Sequence, residues 1–298
     1  MKNIGIIGLG DMGIGMAANL LKNNFNLCGF DLRKDRLNEL ERLGGKPAID
    51  YKEISENSDV VFIMVLNGKQ VNDIILGDDG LIKYLKSGST IIVTATINPS
   101  EVIELELPLQ KKRIKLIDSP VAGGKSGADN GTLTLMTAAK TADFNECKNI
   151  LEAVGENIFH VSEEIGIGQT VKAALQAFIG ASFTAIFESL VLGVKAGVNA
   201  ETLYEVFGAS GVSSPLFKNC ARLIIDRKFK GTGSHIGTMY KDLGISMNMA
   251  KENGVAMFTA SAAYELFRSG ISLFPDEDNW AIVKLLEQIA GVEVKNNK

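Results

Sequence analysis

Histidine is nearly missing from this chain, with His160 and His235 alone among 298 residues. A Ser-His-Asp hydrolase or a histidine-rich metal site is therefore poorly supplied, so no metal is expected and any chemistry should rest on other groups. Cysteine is also scarce. Cys28, Cys147 and Cys220 are isolated, odd in number and without CxxC spacing, which argues against a disulfide framework and suits a reducing cytoplasm. There is no excess of positive charge: 31 Lys and Arg face 35 Asp and Glu, and no basic cluster is interleaved with aromatics, which excludes nucleic acid as a partner. The amino-terminal apolar run in "MKNIGIIGLGDMG" is broken by glycines and followed by Asp11, unlike a signal peptide. The uncharged run Ala173 to Phe187 falls short of the roughly 18 apolar residues of a membrane span, so it is expected to be a buried core helix, with no membrane partner.

What is present is a change of pattern halfway along. Short β-rich runs alternate with helical ones through "NIGIIGLG", "LCGFD", "VVFIMV", "STIIVTA" and "IKLIDSP", with "GTLTLMTA" and "NIFHV" after them. That alternation predicts a mainly parallel sheet covered by helices. From Gly166 the β signal disappears, and helical patterns follow one another between breaks such as "ASGVSSP" and "FPDEDN". The boundary is placed at 164/165, giving a first domain of residues 1–164 and an all-helical second domain of 165–298.

In "IGIIGLGDMGIGMAANLL", Gly8, Gly10 and Gly13 have G-x-G-x-x-G spacing between a strand-like and a helix-like run. Glycines so placed allow a tight turn, close approach to a pyrophosphate, and packing of helix on strand, with the helix amino end facing the anion. Leu9, Asp11 and Met12 fill out the turn and are assigned to the cofactor with it. Asp31 closes the second strand 18 residues beyond Gly13, where a carboxylate accepts from ribose hydroxyls. This favours NAD, although Arg33 offers NADP some compensation for its 2′-phosphate.

The long helical run holds one cation near its start. No other charge occurs between Lys172 and Glu188, and the residues sharing its helical face are Gln176, Ile179 and Phe183. A face half polar and half apolar suits a pocket wall, while a lysine that snorkels to solvent is the plain alternative.

Four segments together carry a family resemblance that runs nearly end to end: "GLGDMGIGMAANL", "DSPVAGGKSGADNGTLTLM", "GIGQTVKAALQ" and "YKDLGISMNMA". The chain resembles the β-hydroxyacid dehydrogenases, which include 3-hydroxyisobutyrate dehydrogenase, tartronate semialdehyde reductase and threonate dehydrogenase and are related to 6-phosphogluconate dehydrogenase. The resemblance implies an α/β Rossmann dinucleotide-binding domain followed by an all-α domain for substrate and self-association. It implies that Lys172 is the catalytic acid/base, its pKa lowered toward working pH by a partly apolar pocket and an oxidised nicotinamide.

The same resemblance assigns Ser119, Ala122, Gly123 and Gly124 to the substrate carboxylate, through backbone N–H groups of a Gly-Gly turn. It assigns Gln176 and Asp242 to the substrate as well, and Leu66, Thr96 and Lys241 to the cofactor. Two departures bear on the substrate: Ala122 stands where serine is common, and Gln176 where asparagine is common, while Leu175 replaces a frequent second asparagine. Together with the ending "DEDNWAIVKL", they lean toward the threonate-type branch.

The expected activity is NAD(P)-dependent interconversion of a small 3-hydroxy acid with its semialdehyde or 3-keto acid, by a homodimer or homotetramer in the cytoplasm. An imine reductase and a non-catalytic dinucleotide-binding relative are the alternatives, and Lys172 argues against both.

Overall fold

The computed structural model describes residues 2–296. Its first half alternates strands with helices: β1 (Ile4–Ile7), α1 (Asp11–Lys22), β2 (Leu27–Phe30), α2 (Lys34–Arg42), β3 (Lys46–Pro47), α3 (Tyr51–Glu56), β4 (Val60–Ile63), α4 (Gly68–Leu76), β5 (Thr90–Val93), α5 (Pro99–Lys111) and β6 (Lys115–Asp118). There follow β7 (Val121–Ala122), α6 (Gly124–Asn130), β8 (Leu133–Ala138), α7 (Thr141–Glu152) and β9 (Gly155–Ser162). The strands form one sheet in the order β3-β2-β1-β4-β5-β6-β8-β7, with β9 on β8. All pairs from β3 to β6 are parallel, β8 is antiparallel to β6 and β7, and β9 is parallel to β8.

Both faces of the sheet are covered, so its central strands are apolar throughout instead of alternating. The period of two still sorts side chains between the faces. Ile4, Ile6, Val60, Phe62 and Ile92 enter one core with helix α1, whereas Ile7, Val61, Ile63, Ile91 and Val93 enter the other with α5.

The second half is helical: α8 (Ile167–Lys195), α9 (Ala200–Ala209), α10 (Pro215–Ile225), α11 (Ile236–Glu252), α12 (Phe258–Leu273) and α13 (Val283–Ala290). The break "SSP" acts as a start signal, because Ser214 accepts from the Phe217 N–H and Pro215 takes the first helical position. Phe183, Phe187, Phe217, Phe267 and Trp280 dominate this core.

The chain divides into compact units of residues 1–172 and 173–298. Helix α8 therefore starts in the first unit, which ends eight residues beyond the boundary read from the pattern. Its first turn is tied there by polar bonds of Gln169 rather than by the apolar periodicity that marks the rest. At 29 residues, and with a mean hydropathy of 1.8 over its most apolar 18-residue window, α8 is long and apolar enough to cross a bilayer. That differs from the sequence expectation of too short a run, because the single charge of Glu188, which closes the uncharged run, does not lower the average enough. The window is 39% buried inside the protein.

Candidate active site

The turn after β1 has the geometry its glycines allow. Gly8 has φ of +91°, and a Cβ there would lie 2.2 Å from the Met64 carbonyl oxygen. A Cβ on Gly13 would lie 1.9 Å from the Gly8 carbonyl, so the turn and helix α1 close to backbone contact. Gly10 is the N-cap of α1 and makes no side-chain cap bond; around its missing Cβ, the Arg33 guanidinium at 3.9 Å is the near neighbour. The amino end of a 12-residue helix thus faces room for a pyrophosphate, and the residues fit a dinucleotide. Asp11 lies in that first turn, where its charge would repel phosphate, but Arg36 holds it at 2.9 Å.

Asp31 does more than its sequence assignment. One oxygen accepts the Leu9 N–H at 2.7 Å, the other accepts the Arg33 N–H at 2.9 Å, and the Arg33 Nε lies 3.5 Å away. The carboxylate straps the glycine turn to the end of β2, with two lone-pair directions left for a ribose. The Leu9 side chain is fully buried and its N–H donates to Asp31, so it supports the turn from beneath. Met12 packs partly buried on the α1 core, and Leu66 is exposed beside the N-cap Asn67, its N–H donating to Gln70.

In the second signature, Gly123 and Gly124 have consecutive φ values of +129° and +59° and are exposed, and Ala122 is half-buried. Ser119 is turned inward. It is fully buried, its N–H donates to the Val93 carbonyl at 2.9 Å, and its hydroxyl pairs with Thr137 at 2.7 Å. Ser119 thus holds the strand ends through its N–H and hydroxyl, and the Gly-Gly backbone is the exposed part of this segment.

Lys172 lies on α8 at 6% exposure, which disfavours the snorkelling alternative. A buried lysine side chain is costly to keep. Thr96 is half-buried between Ala95 and Ile97. Both neighbours are bonded to Gln169, a residue the sequence reading passed over together with Asp118. The available signals were a polar residue three positions before Lys172 and an acid immediately before Ser119. In Asp118, burial pushes the carboxyl up to about 6, against the pull of N–H bonds from Gln169 and Gly166.

In the second unit, Gln176, Asp242 and Lys241 form one cluster. The Gln176 amide nitrogen donates to one oxygen of Asp242, and the Lys241 ammonium lies 2.7 Å from the other. Asp242 is 2% exposed, so Lys241 and the amide take the place of the water its oxygens lose. Ser246, one turn on, donates to the Ala173 carbonyl at 2.7 Å and joins α11 to α8.

All three cysteines are buried free thiols whose pKa burial raises, which leaves them unreactive near neutrality. Among the described residues there is no group of three or more His, Cys, Asp or Glu side chains placed to hold a metal.

Comparison with known proteins agrees with this arrangement. Residues 3–162 match the family described as the NAD binding domain of 6-phosphogluconate dehydrogenase, and residues 166–286 the one described as NAD-binding of NADP-dependent 3-hydroxyisobutyrate dehydrogenase. The chain is similar to 2-(hydroxymethyl)glutarate dehydrogenase of Eubacterium barkeri, at 32% identity over 99% of this chain and 98% of that one. It is also similar to a probable mitochondrial 3-hydroxyisobutyrate dehydrogenase of Dictyostelium discoideum, at 32% identity over 95% and 89%. The crystal structure of 3-hydroxyisobutyrate dehydrogenase from Salmonella typhimurium superimposes with a TM-score of 0.87 at 29% identity, over 96% of this chain and 100% of that one.

Proposed function

Because the chain belongs to the β-hydroxyacid dehydrogenase family, we propose that it interconverts a small 3-hydroxy acid and its semialdehyde or 3-keto acid, with Lys172 as the general acid/base. The observation that carries this is the buried amine of Lys172, on the same compact unit as the glycine turn and the exposed Gly123–Gly124 backbone. When bound, NAD(P) supplies the hydride acceptor for oxidation and the donor for reduction. Lys172 as a neutral amine takes the hydroxyl proton, and as an ammonium returns it to the forming alkoxide in the reverse direction. The Gly123 and Gly124 N–H groups hold the carboxylate. Thr96 and Lys241 serve the cofactor, while Gln176, held by Asp242, meets the substrate.

The leaning toward a threonate-type substrate loses one support. Asp278, Asn279 and Trp280 of "DEDNWAIVKL" are buried, and the Trp280 indole donates to the Lys228 carbonyl at 2.6 Å, so that segment packs the helical core. The branch is decided by a panel of 3-hydroxy acids and semialdehydes, including 3-hydroxyisobutyrate, threonate and 2-(hydroxymethyl)glutarate, followed by NADH absorbance. No turnover with any member would overturn the proposed activity. The same panel run with both cofactors should give the higher kcat/KM with NAD, because Asp31 repels a 2′-phosphate more directly than the half-exposed Arg33 attracts it. A higher value with NADP would reverse that order.

The protein is expected in the cytoplasm, as its reduced cysteines suit, and as a homodimer or homotetramer. Val171, Phe178, Ala185 and Leu192 are exposed along α8 at a spacing of seven, an apolar seam of the kind a second helix covers. Light scattering should show no active monomer at micromolar concentration.

A further inference from the structure

Gln169 is fully buried, and every hydrogen-bonding direction of its amide that faces the strand ends is used. Its Nε2 donates to the Ala95 carbonyl at 3.0 Å and to Asp118 Oδ1 at 2.9 Å, and its Oε1 accepts the Ile97 N–H at 3.1 Å. The Gln169 backbone N–H donates to Asp118 Oδ2 at 3.2 Å, which also accepts the Gly166 N–H at 3.0 Å. A Cβ at Gly168 would come within 2.8 Å of Asp118 Oδ2 and 2.5 Å of the Met136 carbonyl, so glycine there lets the helix start come down onto the strand ends.

This network has a particular reach. Ala95 and Ile97 flank Thr96, Asp118 precedes Ser119, and Gln169 stands three residues before Lys172 on the first turns of α8. A single neutral amide thereby spans the ends of β5 and β6 and the base of the helix that carries the acid/base. An amide suits the task because it presents donors to two acceptors and an acceptor to one donor with no charge of its own to bury.

We propose that Gln169 is the positioning residue of the reaction, fixing the height and rotation of Lys172 against the Thr96 segment through its bonds to Ala95, Ile97 and Asp118. Gln169 touches no reactant in this scheme and acts through Lys172. The proposal rests on the reading of Lys172 as acid/base.

The test is a double-mutant cycle with Gln169→Met, which keeps length and removes the polar atoms, and Lys172→Ala. In Q169M, kcat should fall roughly ten- to a hundredfold, the effect of a misplacement near 1 Å, while the NADH dissociation constant, read by fluorescence enhancement, stays within about twofold. In the K172A background the same change should cost almost nothing further. A Q169M enzyme with kcat within twofold of wild type overturns the inference, and so does an equal loss of rate in both backgrounds, which marks a purely structural role. If K172A itself retains wild-type turnover, the acid/base reading falls first, and the two failures are distinct.

Should Q169M fail to fold, Gln169→Glu decides the matter. A glutamate keeps the acceptor for Ile97 but donates to Asp118 or Ala95 only when protonated, so its kcat relative to wild type should rise as pH falls. A ratio flat with pH overturns the inference.

Discussion

Helix α8 carries two buried glutamines seven residues apart, and each gives its amide nitrogen to a buried aspartate, yet the two pairs are built on opposite principles. Around Asp118, in the first unit, the donors are neutral: backbone and side-chain N–H groups of Gly166 and Gln169. Around Asp242, in the second, the main partner is a cation, Lys241 at 2.7 Å. A carboxylate supported only by neutral donors keeps part of its desolvation cost, whereas one beside an ammonium is stabilised in its charged form. The first arrangement fixes backbone to backbone. The second leaves a polar cluster whose amide oxygen is still able to accept from a ligand. Lys172 sits between them on the same helical face, at the third position after one glutamine and the fourth before the other.

Replacing the residue between the pairs should have the largest effect. Lys172→Ala is expected to lower kcat by roughly 10²–10⁴-fold, the usual worth of general acid–base catalysis, with NADH affinity and urea-unfolding midpoint nearly unchanged. Turnover near wild type on the true substrate would remove the proton-transfer role.

The next largest effect is a pH dependence at Asp118. The Asp118 carboxyl is raised from 3.8 to about 6, chiefly by burial, so the folded state prefers it protonated. Its contribution to stability is greatest below about 4, where it is protonated in both states, and is lost as pH rises through about 6. A shift of about two units corresponds to about 3 kcal/mol between those limits. The unfolding free energy of the wild type minus that of Asp118→Asn should therefore fall by about that amount from pH 4 to pH 8. A constant difference would mean that Asp118 does not titrate in this range.

How far these pairs were legible in the sequence differs in the same way. The mainly parallel sheet and the glycine turn follow from local signals: apolar runs of four to six residues, Gly8, Gly10 and Gly13 at fixed spacing, and an acid closing β2. Lys241 and Asp242 are picked out by the motif "YKDL", but their contact with each other is not, since neighbours on a helix point apart. Asp118 and Gln169 are 51 residues apart and are separated by β7, α6, β8, α7 and β9, so no periodicity links them. The packing of Ser119 is hidden in the same way. Its position next to the Gly-Gly turn is visible in sequence, but its inward rotation depends on Thr137, on a strand that enters antiparallel. The boundary at 164/165 marks where the apolar pattern changes, while the tie of Gln169 to Ala95 and Asp118 holds the first turn of α8 to the preceding unit.

The smallest effect expected comes from shortening the second amide. Gln176→Asn removes one methylene and restores the residue common at this position in the family that the chain resembles. Asparagine keeps the same donors and acceptor, but its amide cannot reach Asp242 and also hold its oxygen where Gln176 holds it. Lys241 still neutralises Asp242, so the fold should tolerate the change, with the loss confined to one contact made by ground state and transition state alike. KM for the hydroxy acid should rise about three- to tenfold with kcat nearly unchanged, as for losing roughly one neutral hydrogen bond. Steady-state kinetics on the best substrate of the panel measure this directly. If kcat falls and KM does not, Gln176 acts on the proton transfer rather than on binding, and the two glutamines of α8 share one task.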